Sequence, residues 1–269
     1  MFFLEAKPVT YTFLIKRAKR LHAGWSQTGG RNSSGHITSY KKGSFRYKRV
    51  YRFIDFWRRL TADAFVIAFD KDNFRTTKLA LVFYQTGYLS YIVLPEGFAI
   101  GDKIKFSNYS SEIGWTGEGS FLGHAFPLKH ISDGLLVFNI ELWPLKGAQL
   151  CRAAGTYGII VARRNGFVTV KLRSGWKLVL SECCYATVGV APDYKNIYKV
   201  LRKAGLRVNL GRRPTTRGVA MNAIDHPHGG GRGKTSGGPR PRTPWGFITK
   251  QRKTVLKKLR VAKLSVRFR

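Results

Sequence analysis

The sequence predicts a mainly β protein, with one small barrel, a second unit built in the same style, and long basic extensions at both ends. Three observations carry that prediction. Short apolar runs rich in Val, Ile, Phe and Tyr recur through the middle of the chain, each closed by Gly, Asn or Pro. Asn165-Gly166 lies between two of these runs, which is a strong hairpin signal. Charge is the third. Residues 1–60 hold 14 Lys and Arg against 2 acids, residues 61–200 hold 15 against 11, and residues 201–269 hold 19 against 1.

That distribution separates a nearly balanced body from two cationic arms. The formal net charge of +34 over 269 residues is far too positive for an ordinary soluble enzyme. Segments of one sign repel themselves and need a polyanion to order them, and phosphate is the obvious one. A merely solubilising tail would be mostly Lys, Glu and Ser, whereas both arms carry Trp, Gly, Pro and His between the charges.

Taken in order, MFFLEAKPVTYTFLIKRAKR has an apolar patch broken by Glu5 and Pro8, with no convincing cleavage site, and is expected to be part of the mature chain. The basic segment from Lys16 to Trp25 and the C-terminal KTVLKKLRVAKLSVRFR each suit either a short amphipathic helix or an extended peptide. From Arg46 the chain alternates as RYKRVYRFIDFW, placing Tyr47, Val50 and Phe53 among Lys48, Arg49 and Arg52, as a strand with one wet, basic face does.

Strands follow at Ala64–Asp70, Lys78–Tyr84, Tyr88–Leu94 and Lys103–Phe106, with turns at Gln85-Thr86-Gly87 and Pro95-Glu96-Gly97. Five short strands at this spacing suggest a closed or nearly closed barrel over 45–123. The Gly-rich interval Ile113–Gly123 reads as its junction to a second unit, 124–200. There the strands are Leu135–Leu142, Thr156–Arg163, Phe167–Leu172, Trp176–Leu180 and Ala186–Val190, divided by Asn165-Gly166 and Ser174-Gly175. DYKNIYKVLRKAG then has Tyr194, Ile197, Tyr198 and Leu201 at helical spacing, with Gly205 as a stop. Residues 201–269 read as an extended basic tail and 1–44 as a basic N-terminal extension.

The tail contains DHPHGGGRGKTSGGPRP, Asp225 to Pro241. HGGGRGKT comes within one residue of a P-loop, with His228 where the first glycine belongs. A P-loop needs a strand to deliver it and a helix N-terminus to receive phosphate. Pro239, Pro241 and Pro244 disfavour that helix. Asp225, His226 and His228 allow two further readings, acid–base catalysis on nucleic acid or metal ligation. Pro227 and the lack of a second ligand cluster weigh against the metal, so no metal and no cofactor is expected. Cys151, Cys183 and Cys184 form neither a disulfide framework nor a zinc pattern. No apolar stretch reaches the roughly 18 residues a membrane span requires.

Several segments resemble the universal large-subunit ribosomal protein two family. They are GGRNSSGHIT (Gly29–Thr38), YRFIDFWR (Tyr51–Arg58), YIVLPEGFAIGD (Tyr91–Asp102), GAQLCRAAGTY (Gly147–Tyr157), LRSG (Leu172–Gly175), RPTTRGVAMNAIDHPHGGG (Arg213–Gly231) and TPWG (Thr243–Gly246). Their order and spacing carry the resemblance over nearly the whole chain. It implies an OB-like barrel followed by an SH3-like barrel, with extensions that enter ribosomal RNA, and a structural constituent of the ribosome in place of an enzyme. The implied partners are large-subunit rRNA near the peptidyl transferase region, neighbouring ribosomal proteins, and the small subunit across the intersubunit face, with a role in tRNA placement and no homo-oligomer.

On that reading the RNA-binding residues are Arg31, Arg46, Lys48, Arg49, Arg52, Arg152, Arg173, Arg212, Arg213, Arg217, Asn222, His226, His228, Gly229, Gly230, Gly231, Arg232, Lys234, Arg240, Arg242 and Trp245. Glycines let the backbone approach phosphate and arginines neutralise it, while histidines and Trp245 suit stacking on bases. His226 is assigned a positioning role. Where the family commonly reads Glu-Gly-Arg, this chain reads Arg232-Gly233-Lys234, which removes an acid. Apolar texture around Phe56, Trp57, Phe69 and Phe121–His130 suggests added protein contacts, and hence a mitochondrial-type ribosome, with bacterial cytoplasm or plastid as the alternative.

Overall fold

The computed structural model describes residues 8–25, 28–43, 49–60, 62–104, 122–233 and 238–250. Contacts gather these residues into two units, one of 8–25 with 49–199 and the other of 28–43 with 200–250. Both barrels lie in the first unit.

Its chain opens with α1 (Pro8–Arg17), tightens into a 3-10 turn at Ala18–Leu21, and leaves as β1 (His22–Trp25). The two readings of the Lys16–Trp25 segment thus each hold for part of it. β1 pairs antiparallel with β2 (Arg49–Arg52), His22 lying opposite Arg52. The four-stranded sheet that follows has the order β5-β4-β3-β6, from β3 (Ala64–Lys71), β4 (Lys78–Tyr84), β5 (Leu89–Ile92) and β6 (Lys103–Ile104). Ile54 bridges Tyr91 in parallel, bringing the β2 segment alongside β5 and supplying the fifth strand of an OB-like barrel.

β4 shows why a strand can read as one continuous apolar run. Ala80, Val82 and Tyr84 face the barrel interior with Val66, Ile92 and Ile104. Leu79 and Leu81, on the opposite face, join a second cluster with Ala18, Ile54, Tyr91, Val93, Phe138 and Ala191. A strand covered on both sides gains nothing from polar alternation. In β3 the register shifts between Val66 and Ala68, so the extra residue Ile67 is also buried.

The SH3-like barrel is a six-stranded sheet of order β13-β12-β11-β8-β14-β7 with a short β9–β10 pair. Its strands are β7 (Ala125–Pro127), β8 (Leu136–Phe138), β9 (Ile140–Glu141), β10 (Ala148–Leu150), β11 (Gly158–Arg164), β12 (Phe167–Leu172), β13 (Lys177–Ser181) and β14 (Tyr185–Val188). The expected strand 135–142 is divided because Asn139 sits at φ 53°, in the left-handed region, and turns the chain between β8 and β9. Asn165 and Gly166 both take positive φ, as a two-residue hairpin between β11 and β12 requires. Alternating Ile160, Val168, Val170, Leu178 and Leu180 fill the interior with Leu128 and Val137.

The two barrels share the cluster around Leu81 and Phe138 and are tied by polar contacts. Arg58 is buried, donating to the Thr187 hydroxyl at 3.1 Å and the Gly123 carbonyl at 2.8 Å. Burial lowers its pKa to about 10, which leaves it charged at neutrality. Arg59 reaches the buried Glu141 at 3.1 Å, and that carboxylate also accepts from the Gly147 and Tyr185 N–H groups at 2.9 and 3.1 Å.

The helix expected over 193–205 is a correction. Residues Tyr194–Tyr198 form a 3-10 turn, and α2 (Ala204–Asn209) begins where the helix should stop and runs through Gly205. Tyr194, Ile197, Tyr198 and Leu201 are all exposed, so the helical spacing has no surface to bury against.

Candidate nucleic-acid interface

The second unit is built from turns instead of sheets. Its N-terminal part closes on itself, Thr38 and Ser39 N–H groups donating to the Gly30 carbonyl and Arg31 bridging Ile37. Gly30 is buried at φ 81°, and a side chain there would strike the Ser39 carbonyl, so glycine is required. This hairpin meets the far end of the chain. Lys42 and Arg212 form an antiparallel bridge, Gly43 N–H donates to Gly211 and Arg213 N–H to Lys41. Tyr40 and Trp245 stack at 6.2 Å with their planes 18° apart. Sequence reading treated the two extensions as separate arms; the structure joins them.

Trp245 therefore packs on protein while remaining 54% exposed. It sits in the turn Thr243–Gly246, closed by the Gly246 N–H on Thr243 and by Arg242 bridging Ile248. Arg31, Arg212, Arg213, Arg217, Arg232, Arg240 and Arg242 are exposed in this one unit. Asp225 is the only acid among residues 201–269.

Within it, His226 turns inward and is 7% exposed. Its Nδ1 accepts the His228 N–H at 3.0 Å, the two rings stack at 5.1 Å, and His228 Nε2 accepts the Arg242 N–H at 2.8 Å. The Asn222 carbonyl takes the N–H groups of Asp225 and His226, while Gly229 N–H donates to His226 and Gly230 N–H to Met221. Gly230 and Gly231 take positive φ. Asn222 and Gly229 thus serve the loop's own closure. Nucleic-acid chemistry by an Asp225–His226–His228 cluster loses its footing, because a lone pair on each ring is already engaged.

The barrel unit separates the remaining residues. Arg52 is taken up internally, 3.3 Å from Asp70 and donating to the Lys71 carbonyl at 2.9 Å. Arg173 donates to the Gly155 carbonyl at 2.6 Å. Arg49 opens β2 opposite Trp25. Arg152 lies 4.9 Å over the Phe56 ring and Arg75 lies 5.1 Å from the same ring. Burial, then repulsion from Arg75, lowers the Arg152 pKa. Two guanidiniums thus share one aromatic, Arg75 being also 3.3 Å from the Asp72 carboxylate. Arg152 is expected from the sequence, but its pairing with Arg75, far away in the chain, has no local signature. Arg46, Lys48 and Lys234 lie outside the described residues.

Among the described residues, no helix is long and apolar enough to cross a membrane, and no group of three His, Cys, Asp or Glu side chains is placed to hold a metal ion. Cys184 is buried and Cys151 half-buried, and burial pushes both thiols up to about 11, so neither is a reactive thiolate.

Residues 18–106 match the model of the ribosomal proteins L2 RNA-binding N-terminal domain, and residues 122–246 that of the ribosomal proteins L2 C-terminal domain. The large ribosomal subunit protein uL2 of Rickettsia canadensis is 44% identical over 254 residues, covering 93% of this chain and 89% of the relative. This chain belongs to the ribosomal protein L2 family. Its uL2 relatives from Rhodospirillum centenum and Brucella ovis are 45% and 44% identical, covering 89% of this chain and 84% and 83% of their own lengths. L2 is a structural ribosomal protein and no enzyme, and the OB-like and SH3-like barrels of this chain fall within the residues matched by the two L2 domain models.

Proposed function

We propose that this chain is a structural constituent of the large ribosomal subunit, binding large-subunit rRNA near the peptidyl transferase centre and supporting subunit assembly, contact with the small subunit and tRNA placement, as a single copy. The observation that carries this is the second unit, where exposed arginines surround a glycine-rich loop whose backbone is already closed on itself. Such a surface approaches phosphate closely and neutralises it.

The site we assign keeps Arg31, Arg152, Arg212, Arg213, Arg217, Arg232, Arg240, Arg242 and Trp245 as direct contacts, with Lys234, Arg46 and Lys48 from the flanking basic segments. Arg52 and Arg173 act by shaping the barrels, and His226 by positioning. Residues 28–43 and 201–269 are assigned as the RNA-directed extensions and 45–123 and 124–200 as the barrels, while 8–25, expected within the N-terminal extension, pack with the barrels.

The relatives named above are all bacterial. They fit the bacterial cytoplasm and lend no support to a mitochondrial ribosome. Part of the ground for the mitochondrial reading has also gone, since Phe126 and Leu128 are buried in the SH3-like core. Trp57 remains 52% exposed, and Phe121 lies outside the described residues.

Cross-linking in cell extract tests the reading. It predicts recovery of large-subunit rRNA joined to peptides from 206–250, and the genome encoding that RNA names the compartment. Scattered messenger RNA would refute it. In vitro, Arg232→Ala with Arg242→Ala should lower the salt slope of rRNA binding by about one per lost phosphate contact.

A further inference from the structure

We infer that Gly218, His226 and His228 form a small polar core that sets the shape of the loop over residues 218–231 before any RNA is bound, with His226 acting through Nδ1 and His228 through Nε2. The inference rests on the RNA-binding reading only for what the loop is for. Its geometry stands alone.

A backbone N–H can only donate, so the ring nitrogen it meets must carry a lone pair. His228 N–H meets His226 Nδ1 at 3.0 Å, which puts the neutral ring's proton on Nε2. Arg242 N–H meets His228 Nε2 at 2.8 Å, which puts that ring's proton on Nδ1, the less populated form of a free imidazole in water. The two histidines, two residues apart and stacked, are thus held in opposite tautomers.

Gly218 supplies the floor. A Cβ at that position would lie 2.5–2.6 Å from three atoms of the His226 ring. Its φ is not in the positive range, so the ring alone excludes a side chain. Gly229 is excluded from bearing one by the Asn222 carbonyl on the other side of the loop. The bonds of the Asp225 and His226 N–H groups to Asn222 and of Gly230 to Met221 finish the closure. What remains outside is the tip, where Ile224 is 93% exposed and Asn222 and Asp225 flank it. His226 and His228 are positioning residues for that tip. An entropy loss that a free tail would suffer on meeting RNA has already been met in folding.

Amide side chains separate this role from a chemical one. An Asn oxygen occupies the place of Nδ1 and a Gln oxygen that of Nε2. Backbone amide exchange of the full-length protein without RNA should therefore give a crossed pattern. His226→Asn keeps the His228 amide protected and His226→Gln speeds its exchange roughly three- to tenfold; His228→Gln keeps the Arg242 amide protected and His228→Asn does not. Barrel amides report that the rest of the chain is folded in every variant. Ring-nitrogen NMR of the unaltered protein should find His226 protonated at Nε2 and His228 at Nδ1.

Equal exchange in all four variants, or a mixed tautomer at His228, overturns the inference. Gly218→Ala should loosen both amides, and that loosening should vanish in a His226→Ala background, where no ring remains to collide. Binding to transcribed large-subunit rRNA, measured separately, tests the function. A crossed exchange pattern with no rRNA binding by any variant would sink that reading and leave the loop's architecture standing.

Discussion

The two units hold themselves together by different means. The barrel unit buries three apolar clusters and holds several buried polar groups in pairs, as with Arg58 on Thr187 and Arg59 on Glu141. The second unit buries almost nothing apolar among its described residues; Gly30 and His226 are its buried positions, and its order comes from backbone bonds, positive-φ glycines and stacked rings. The lesson concerns where stability is stored. Area removed from water stabilises the first, whereas the described part of the second is held by backbone bonds and stacked rings with almost no apolar burial.

Substitutions in the shared core should break the comparison most visibly. Phe138 is fully buried between the barrels, and Phe138→Ala should cost about 3–5 kcal/mol in denaturant unfolding. Glu141→Gln comes next. It strips the charge from a buried carboxylate that holds Arg59 and two backbone N–H groups, and should cost about 3 kcal/mol, with both barrels loosening together in amide exchange. In the second unit the same kind of change should do little: Leu210 is 55% exposed, and Leu210→Ala should stay within about 0.5 kcal/mol. A large loss there would mean that this unit has an apolar core after all.

The smallest effect is in pH. Burial, with Arg52 adding to it and Asp70 opposing, holds the His22 pKa below its ordinary value. The unfolded chain therefore binds that proton more readily, so the stability His22 contributes is present above about pH 6.5 and is lost as pH falls through the folded value. His22→Gln should flatten part of the decline in melting temperature from about pH 7 to about pH 5. An unchanged profile would show that the Tyr91 hydroxyl, 3.0 Å from His22 and itself bonded to Asp70, settles the network alone.

Legibility in the sequence followed the range of the cause. The β4 and β12 strands were readable to the residue, because a run such as KLALVFY or FVTVKL and the Asn165-Gly166 turn declare themselves locally. The helical spacing of Tyr194, Ile197, Tyr198 and Leu201 was equally local and misled, since a periodic stripe makes a helix only where something covers it. Long-range facts had no local signature. That Tyr40 would stack on Trp245, that Arg75 and Arg152 would share Phe56, and that His226 would be buried under Gly218 depend on residues far apart in the chain or on a backbone path no pattern encodes. Charge counting separated a cationic end of the chain from its balanced body. It could not say that Arg52 was already spoken for by Asp70.

The bridge between Lys42 and Arg212 also sets a clock. Its partners are separated by about 170 residues, and a ribosome adds roughly 5–20 residues each second. The hairpin around Gly30 must therefore wait about 10–30 seconds of synthesis before its partner strand exists. Both barrels are made within that interval, since their strands all lie between Lys42 and Arg212. Closure of this unit therefore follows the barrels in synthesis, and the stack of Tyr40 on Trp245 follows later still.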